Sequence, residues 1–387
     1  MKVIILQKKI TTYREPFFSR ISRHYGIDLV VTYYDLETKD KEQSFRQNEK
    51  FNFKTINLSR STKRHPLFST IKNIKPDVII SGDYNFIEDL YIAVYCKFKM
   101  IPILRWTGGF VPTTSVKKNL NIFYKNRAQR ILKSYHPAKF LLLHCNSGFI
   151  VYSEFAKSFM ANTLKINKKI FVAPNSPDTD EISEIKSQIE KDPAMLNDIK
   201  EKLVINGYKT LLSIGRLNKA RRIDLLLEVF KLVQVNNPQT CLIIIGEGEC
   251  LVSAHKSVEE KKLDKVFFTR AIYDEKELGI YYSLCDIYLT TGGASLTVKS
   301  AMAYGKPIVS MDNGLEIHAI KNGVNGYVVE YGNVKEMADR IIYLLENDKE
   351  RELMGVNAYD TIKDELNISK MTDGFINALY SVYQRHN

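Results

Sequence analysis

The chain is poor in cysteine and has no long apolar run, and each shortage closes off a class of protein. Its 387 residues include five cysteines, Cys96, Cys145, Cys241, Cys250 and Cys285. The number is odd, the positions are scattered and no Cys-x-x-Cys occurs. Neither a disulfide framework nor a zinc site is expected, and a reducing cytoplasm fits. No stretch approaches the length of a membrane-spanning helix. The first apolar run, Val3-Ile4-Ile5-Leu6, is too short for a secretory signal core and reads as a buried strand. There is no internal repeat and no low-complexity tract.

Apolar and charged fractions, 44% and 26%, are those of an ordinary globular protein. The length allows two domains with separate cores. Charge is placed unevenly. Residues 1–173 hold 30 Lys and Arg against 12 Asp and Glu, a balance of +18, and residues 174–387 hold 26 against 32, or −6. A basic front half suits a polyanion or an anionic membrane surface, or is simply a solvated lysine-rich face.

Strand-like apolar runs alternate with amphipathic stretches throughout. In the front half they are residues 3–6, 29–32, 78–80, 101–104, 149–152 and 170–172. In the back half they are residues 210–214, 242–245, 266–268, 287–289, 308–309 and 327–329. Such alternation predicts an α/β protein with two doubly wound, Rossmann-like parallel sheets. Ala173-Pro174-Asn175-Ser176-Pro177-Asp178 breaks both periodicities and marks a boundary. The expected domains are residues 1–173 and 174–368. A final helix over 369–387, apolar at Met371, Phe375, Leu379 and Val382, is able to pack back on the first domain. Two such domains with their strand ends facing a cleft would hold one substrate each, which suits group transfer.

Four pieces of the back half carry candidate chemistry. Ile214-Gly215-Arg216-Leu217-Asn218-Lys219-Ala220-Arg221 places two guanidinium groups at a strand exit. They could clamp a diphosphate bidentately, or form a solvated basic turn. Residues 242–245 end in Gly246-Glu247-Gly248, weak evidence alone because many parallel sheets need such a turn. Val266-Phe267-Phe268 leads to Arg270-Ala271-Ile272. Gly292-Gly293-Ala294-Ser295-Leu296-Thr297 reads as a Gly-rich turn opening a helix, where free N–H groups and the helix dipole favour an anion.

In this order the pieces resemble the donor domain of family 4 glycosyltransferases with the GT-B architecture. That family shows a Gly-Arg-Leu turn with a lysine five residues on (Arg221 here, which keeps the charge), a strand ending Gly-x-Gly and a Val-x-Phe strand. A Glu-x7-Glu motif follows and runs into Ala-Met-Ala-x-Gly-x-Pro-Val, matched here by Ala301-Met302-Ala303-Tyr304-Gly305-Lys306-Pro307-Ile308. The family's closing Asn-Gly-x-x-Gly segment is matched by Asn322-Gly323-Val324-Asn325-Gly326. Lys75-Pro76-Asp77-Val78, Val151-Tyr152-Ser153-Glu154 and Val172-Ala173-Pro174-Asn175 are also similar, and the likeness covers most of residues 70–345.

The resemblance implies transfer of a sugar from a nucleotide diphosphate sugar to a glycan or lipid-linked acceptor hydroxyl. It implies retention of anomeric configuration, with no cofactor and no metal. Arg216 and Arg221 would stabilise the leaving diphosphate. Gly215, Gly246, Glu247, Arg270, Ile272, Gly293, Ala294, Ser295, Leu296, Thr297 and Ser300 would line the donor site. Bacterial surface polysaccharide or lipid-linked glycan assembly, in the cytoplasm or on the inner face of its membrane, is the expected setting. No nucleic-acid module accompanies the basic half.

The departures are specific. The two motif glutamates should fall at 292 and 300, where this chain has Gly292 and Ser300. A serine gives one hydrogen bond where a carboxylate accepts two from adjacent hydroxyls. This leaves open a second reading, a weakened GT-B protein that binds a nucleotide sugar or partners an active transferase. The family's front-half His is replaced by Arg105-Trp106-Thr107-Gly108, whose last three residues line the cleft unless Trp106 is plain core. Tyr13 and Arg14, in the loop after the first strand, are acceptor contacts or part of a helix cap ahead of Phe17 and Phe18. Residues 117–133 alternate lysines and arginines with Leu120, Ile122 and Phe123. They form a membrane-facing helix or an ordinary one with a solvated face.

Overall fold

A computed structural model of the chain describes residues 1–34, 52–60, 66–82, 86–108, 144–292, 295–312 and 318–384. The chain divides into two compact units. The described residues of 1–111, 121–178 and 368–387 make up the first, and those of 179–367 the second.

The first unit is built on β1 (Lys2–Leu6), α1 (Glu15–Ser22), β2 (Asp28–Tyr33), β3 (Lys54–Asn57), α2 (Pro66–Ile74), β4 (Val78–Ser81), α3 (Phe86–Phe98), β5 (Ile103–Trp106), β6 (Gly148–Val151), α4 (Glu154–Ser158) and β7 (Lys169–Val172). All strand pairs are parallel, in the order β3-β2-β1-β4-β5-β6-β7. Side chains alternate across a strand, so Val3 and Ile5 enter the core on one face and Ile4 and Leu6 the core on the other. Burial on both faces is why these strands read as unbroken apolar runs. The two edge strands β3 and β7 have no fully buried residue, and of these β3 also departs from the apolar pattern. Lys54-Thr55-Ile56-Asn57 lies at the sheet edge, none of its residues is fully buried, and the mixed sequence gives no apolar signal.

The second unit comprises α5 (Thr179–Lys191), α6 (Ala194–Leu203), β8 (Lys209–Ile214), α7 (Ile223–Asn236), β9 (Thr240–Ile245), α8 (Leu251–Glu260), β10 (Val266–Thr269), α9 (Glu275–Leu284), β11 (Ile287–Thr290), α10 (Ser295–Ala303), β12 (Ile308–Met311), β13 (Gly326–Val329), α11 (Val334–Glu346) and α12 (Asp348–Glu365). Its sheet is also parallel, in the order β10-β9-β8-β11-β12-β13. Capping side chains mark several helix starts, as where Asp274 accepts the Glu277 N–H at 2.7 Å ahead of α9.

The last helix, α13 (Ile368–Tyr383), belongs to the first unit. Its Met371, Phe375, Leu379 and Val382 share a core with Val3 and Ile5, and the Phe375 ring meets Phe17 edge-on at 4.7 Å. No described helix is long and apolar enough to cross a membrane.

Candidate active site

In a doubly wound sheet the strand order reverses once, and the loops leaving the two strands at that point diverge and open a crevice. In the second unit the reversal falls between β8 and β11. The loop after β8 carries Arg216 and Arg221, and the chain after β11 runs through Gly292 into α10. The β9 and β10 exits, with Gly246, Glu247, Arg270 and Ile272, lie along the same carboxyl edge. These residues therefore share one edge of the sheet.

Backbone contacts fix this edge tightly. The Gly215 N–H reaches the Ile245 carbonyl at 2.9 Å, and the Leu217 N–H reaches that of Glu247 at 2.8 Å. Gly215 has φ +152°, and a Cβ there would lie 2.3 Å from Arg221 Nη2. The missing side chain is what lets the Arg221 guanidinium fold across the strand end. Asn218 Oδ1 accepts the N–H groups of Ala220 and Arg221 at 3.1 and 3.2 Å. Across the reversal point, the Thr291 hydroxyl donates to the carbonyls of Arg221 and Arg222 at 2.8 and 2.9 Å.

Three arginines in this loop have three different fates. Arg222 is fully engaged: Nη2 reaches Asp224 Oδ2 at 2.7 Å and Nη1 the Tyr331 hydroxyl at 2.8 Å. These hydrogen bonds hold its guanidinium above its ordinary pKa, and they pull the Asp224 carboxyl below its own. Arg222 also lines a separate depression of about 350 Å³ that includes neither other arginine. Arg216 is exposed and Arg221 half-buried, and among the described residues neither guanidinium has an ion-pair or hydrogen-bond partner. Two unneutralised cations beside a helix start are suited to hold an anion.

Position 292 has no room for the family's glutamate. A Cβ there would sit 2.2 Å from the Ala220 carbonyl oxygen and 2.6 Å from Arg221 Cα. The glycine is imposed by backbone packed on backbone. Ser300 hydrogen-bonds the buried Tyr282 phenol. Gly293 and Ala294 lie outside the described residues, and of Ser295 only its place at the start of α10 is described. Leu296 and Thr297 are half-buried in the first turn. Glu247 is exposed, its Oε1 accepting the Ala271 N–H at 3.4 Å; Arg270 is exposed and Ile272 buried. Lys299, 4% exposed in α10, escapes a motif reading because no motif asks for a cation there. The Asp-x-Asp spacing of Asp178 and Asp180 is likewise easily passed over. Asp178 lies 3.9 Å from Arg20, and among the described residues no cluster of His, Cys, Asp and Glu could hold a metal ion.

The first unit's reversal point, between β1 and β4, is furnished differently. Arg14 is 7% exposed, hydrogen-bonds the buried Gln7 side chain and stacks over the Trp106 ring at 4.4 Å. Trp106 is 4% exposed and meets Phe375 edge-on at 4.9 Å, so it is a core residue. The indole is the surface on which Arg14 rests. Tyr13, half-exposed Thr107 and exposed Gly108 remain accessible. Three buried polar residues lack a sequence signal. Asp89 takes an ion pair from Arg105 and a 2.6 Å hydrogen bond from Ser81. Burial raises its carboxyl pKa, partly offset by Arg105 and Ser81. Glu15, at the start of α1, is pushed up to about 7 by burial. Residues 117–133 lie outside the described residues.

Residues 195–361, which contain this whole edge, match the family model of glycosyl transferases group 1. A glycosyl transferases group 1 region thus makes up most of the second unit. An uncharacterised glycosyltransferase of Methanocaldococcus jannaschii is 24% identical over 79% of this chain and 75% of the relative. A poly(ribitol-phosphate) alpha-N-acetylglucosaminyltransferase of Staphylococcus aureus is 27% identical over 43% of this chain, but only 34% of that relative's length is covered. The fold is that of HepE from Anabaena, solved in complex with UDP, with a TM-score of 0.73 over 98% of this chain and 100% of that one, at 15% identity. The chain thus has the GT-B fold, two parallel α/β sheets.

Proposed function

We propose that the transferase moves a sugar from a nucleoside diphosphate sugar to a hydroxyl of a glycan or lipid-linked acceptor, with retention of configuration, in the manner of family 4. One observation carries this reading: among the described residues the guanidiniums of Arg216 and Arg221 have no partner at the reversal point of the second sheet, while Arg222 beside them is fully paired. The anomeric C–O bond breaks with its electron pair passing to the β-phosphate. The two guanidiniums and the start of α10 stabilise that charge where it develops. A phosphate oxygen then takes the acceptor proton as the new bond forms on the same face of the sugar. No separate carboxylate base is needed. Two guanidiniums supply the positive charge that a metal would otherwise bring, so chelators should leave turnover unchanged.

HepE was solved with UDP, which supports a uridine nucleotide as the first donor to try. The Staphylococcus aureus relative acts on poly(ribitol-phosphate), which supports an acceptor of the surface-glycan class. The basic first 173 residues favour work against an anionic membrane surface. Gly292 and Ser300 favour one alternative, a binding partner with weakened turnover.

A panel of UDP, GDP and dTDP sugars tests the reading by thermal shift. A ligand present at a hundred times its Kd stabilises the folded state by about 2.7 kcal/mol. At least one donor should raise Tm by several degrees and be turned over. Binding without release of nucleoside diphosphate selects the partner reading, and no shift with any member rejects both.

A further inference from the structure

At the reversal point β8 and β11 separate early. Their ladder covers only Leu211 with Ile287 and Leu212 with Tyr288, whereas β8 runs beside β9 as far as Ile214. Ile214 lies beyond the last residue paired with β11, and it is the residue immediately before Gly215. The polar groups that Ile214 turns toward β11 are met by a side chain.

Tyr288 is fully buried, and its phenol oxygen accepts the Ile214 N–H at 3.3 Å. Its proton is shared between Thr297 Oγ1 at 2.7 Å and the Ile214 carbonyl at 3.2 Å. Thr297 stands in the first turn of α10. Its own carbonyl accepts from the Tyr282 phenol at 3.3 Å, and Ser300 hydrogen-bonds that same phenol. One hydroxyl therefore joins the last residue of β8 to the start of α10. An aromatic ring with two torsions, packed at zero exposure, is a stiff strut. Removing its hydroxyl leaves the Ile214 N–H and C=O buried without these partners, which the chain can relieve only by letting the strand end move.

We propose that Tyr288 is a positioning residue that sets the spacing between the Arg216–Arg221 loop and the first turn of α10, so that the two sides of the anion site move as one. The coupling rests on hydrogen bonds; its use in donor binding rests on the function proposed above. The phenol touches neither guanidinium through a hydrogen bond and acts through Ile214 and Thr297.

The test is Tyr288→Phe in the full chain, read by amide hydrogen exchange without ligand and by UDP affinity. Exchange over residues 214–221 and 295–300 should rise together by tenfold or more, while β12 and β13 keep their protection. UDP affinity should fall about tenfold. Adding Thr297→Val to Tyr288→Phe should raise exchange over these two segments no further, as expected when two groups serve one link. A variant with a lowered Tm but unchanged exchange in both segments, or with only one of them loosened, overturns the proposal. So does an additive rise in exchange in the double variant. Failure of the unmodified chain to bind UDP would count against the donor reading alone, with coupled exchange still deciding the role of Tyr288.

Discussion

Both sheets reverse strand order after their first strand, and both place arginines at that edge, yet the two edges are finished in opposite ways. In the first unit Arg14 lies on Trp106 and bonds Gln7, and Arg105 pairs with Asp89. In the second, Arg216 and Arg221 are left without described partners. A cation that is buried and paired mainly holds a fold together. One that the protein leaves uncompensated destabilises the free state slightly and gains only when an anion arrives. On the proposed function, the same topology serves structure in the first unit and ligand capture in the second.

The sharpest way to break that comparison is to remove one arginine from each edge. Arg105→Ala should leave Asp89 buried without its counter-ion, at a cost of about 3 kcal/mol, or a Tm lowered by roughly 6–12 °C for a unit of this size. Protonation of Asp89, already favoured by burial, limits the loss. Arg216→Ala should reduce kcat about a hundredfold and move Tm by less than about 1 °C, since no described side chain depends on it. Differential scanning calorimetry and a turnover assay read the pair. If Arg216→Ala unfolds the protein or keeps its turnover, the contrast between the edges is wrong.

A smaller effect tests why the donor edge lacks its glutamate. Gly292→Ala adds one methyl group against the Ala220 carbonyl and Arg221 Cα. Overpacking against backbone costs about 1–3 kcal/mol, and the loop bearing Arg221 must shift. Thermal unfolding should show the loss, and turnover should fall with it. An unchanged Tm would mean that the glycine is not required by packing.

Most of the fold was legible because burial on both faces writes the inner parallel strands as apolar runs. Twelve of the strands read as such runs, β7 and β10 among them although they lie at sheet edges with no fully buried residue, and β3, mixed in sequence, does not. The site was legible only where backbone geometry demands particular residues. Gly215 and Gly246 are such places, since a Cβ at Gly246 would meet the Gly215 carbonyl oxygen at 2.1 Å. Side-chain partnerships leave no such mark. Nothing in the run Ala220-Arg221-Arg222-Ile223 says which arginine is paired, and nothing around Trp106 says that it supports Arg14 from within the core. Tyr288 reads as one more apolar strand residue, because its hydroxyl matters only once β8 and β11 have parted.

The two neighbouring arginines give the finest version of the comparison. Arg222 and Asp224 form a bidentate pair whose side chains are 35% and 63% exposed. Exposed pairs of this kind contribute about 0–1 kcal/mol. Arg222→Gln should therefore lower stability by no more than about 1 kcal/mol and leave kcat within about twofold of wild type, whereas Arg221→Gln should lower kcat strongly with little change in Tm. Urea titration and initial rates on the two variants would separate them. The backbone supports this division, because the carbonyls of both residues are held by the same Thr291 hydroxyl, so either substitution leaves the loop anchored and isolates the guanidinium. Equal losses of turnover in the two variants would show that the loop acts through its summed charge, and that pairing with Asp224 does not withdraw Arg222 from the site.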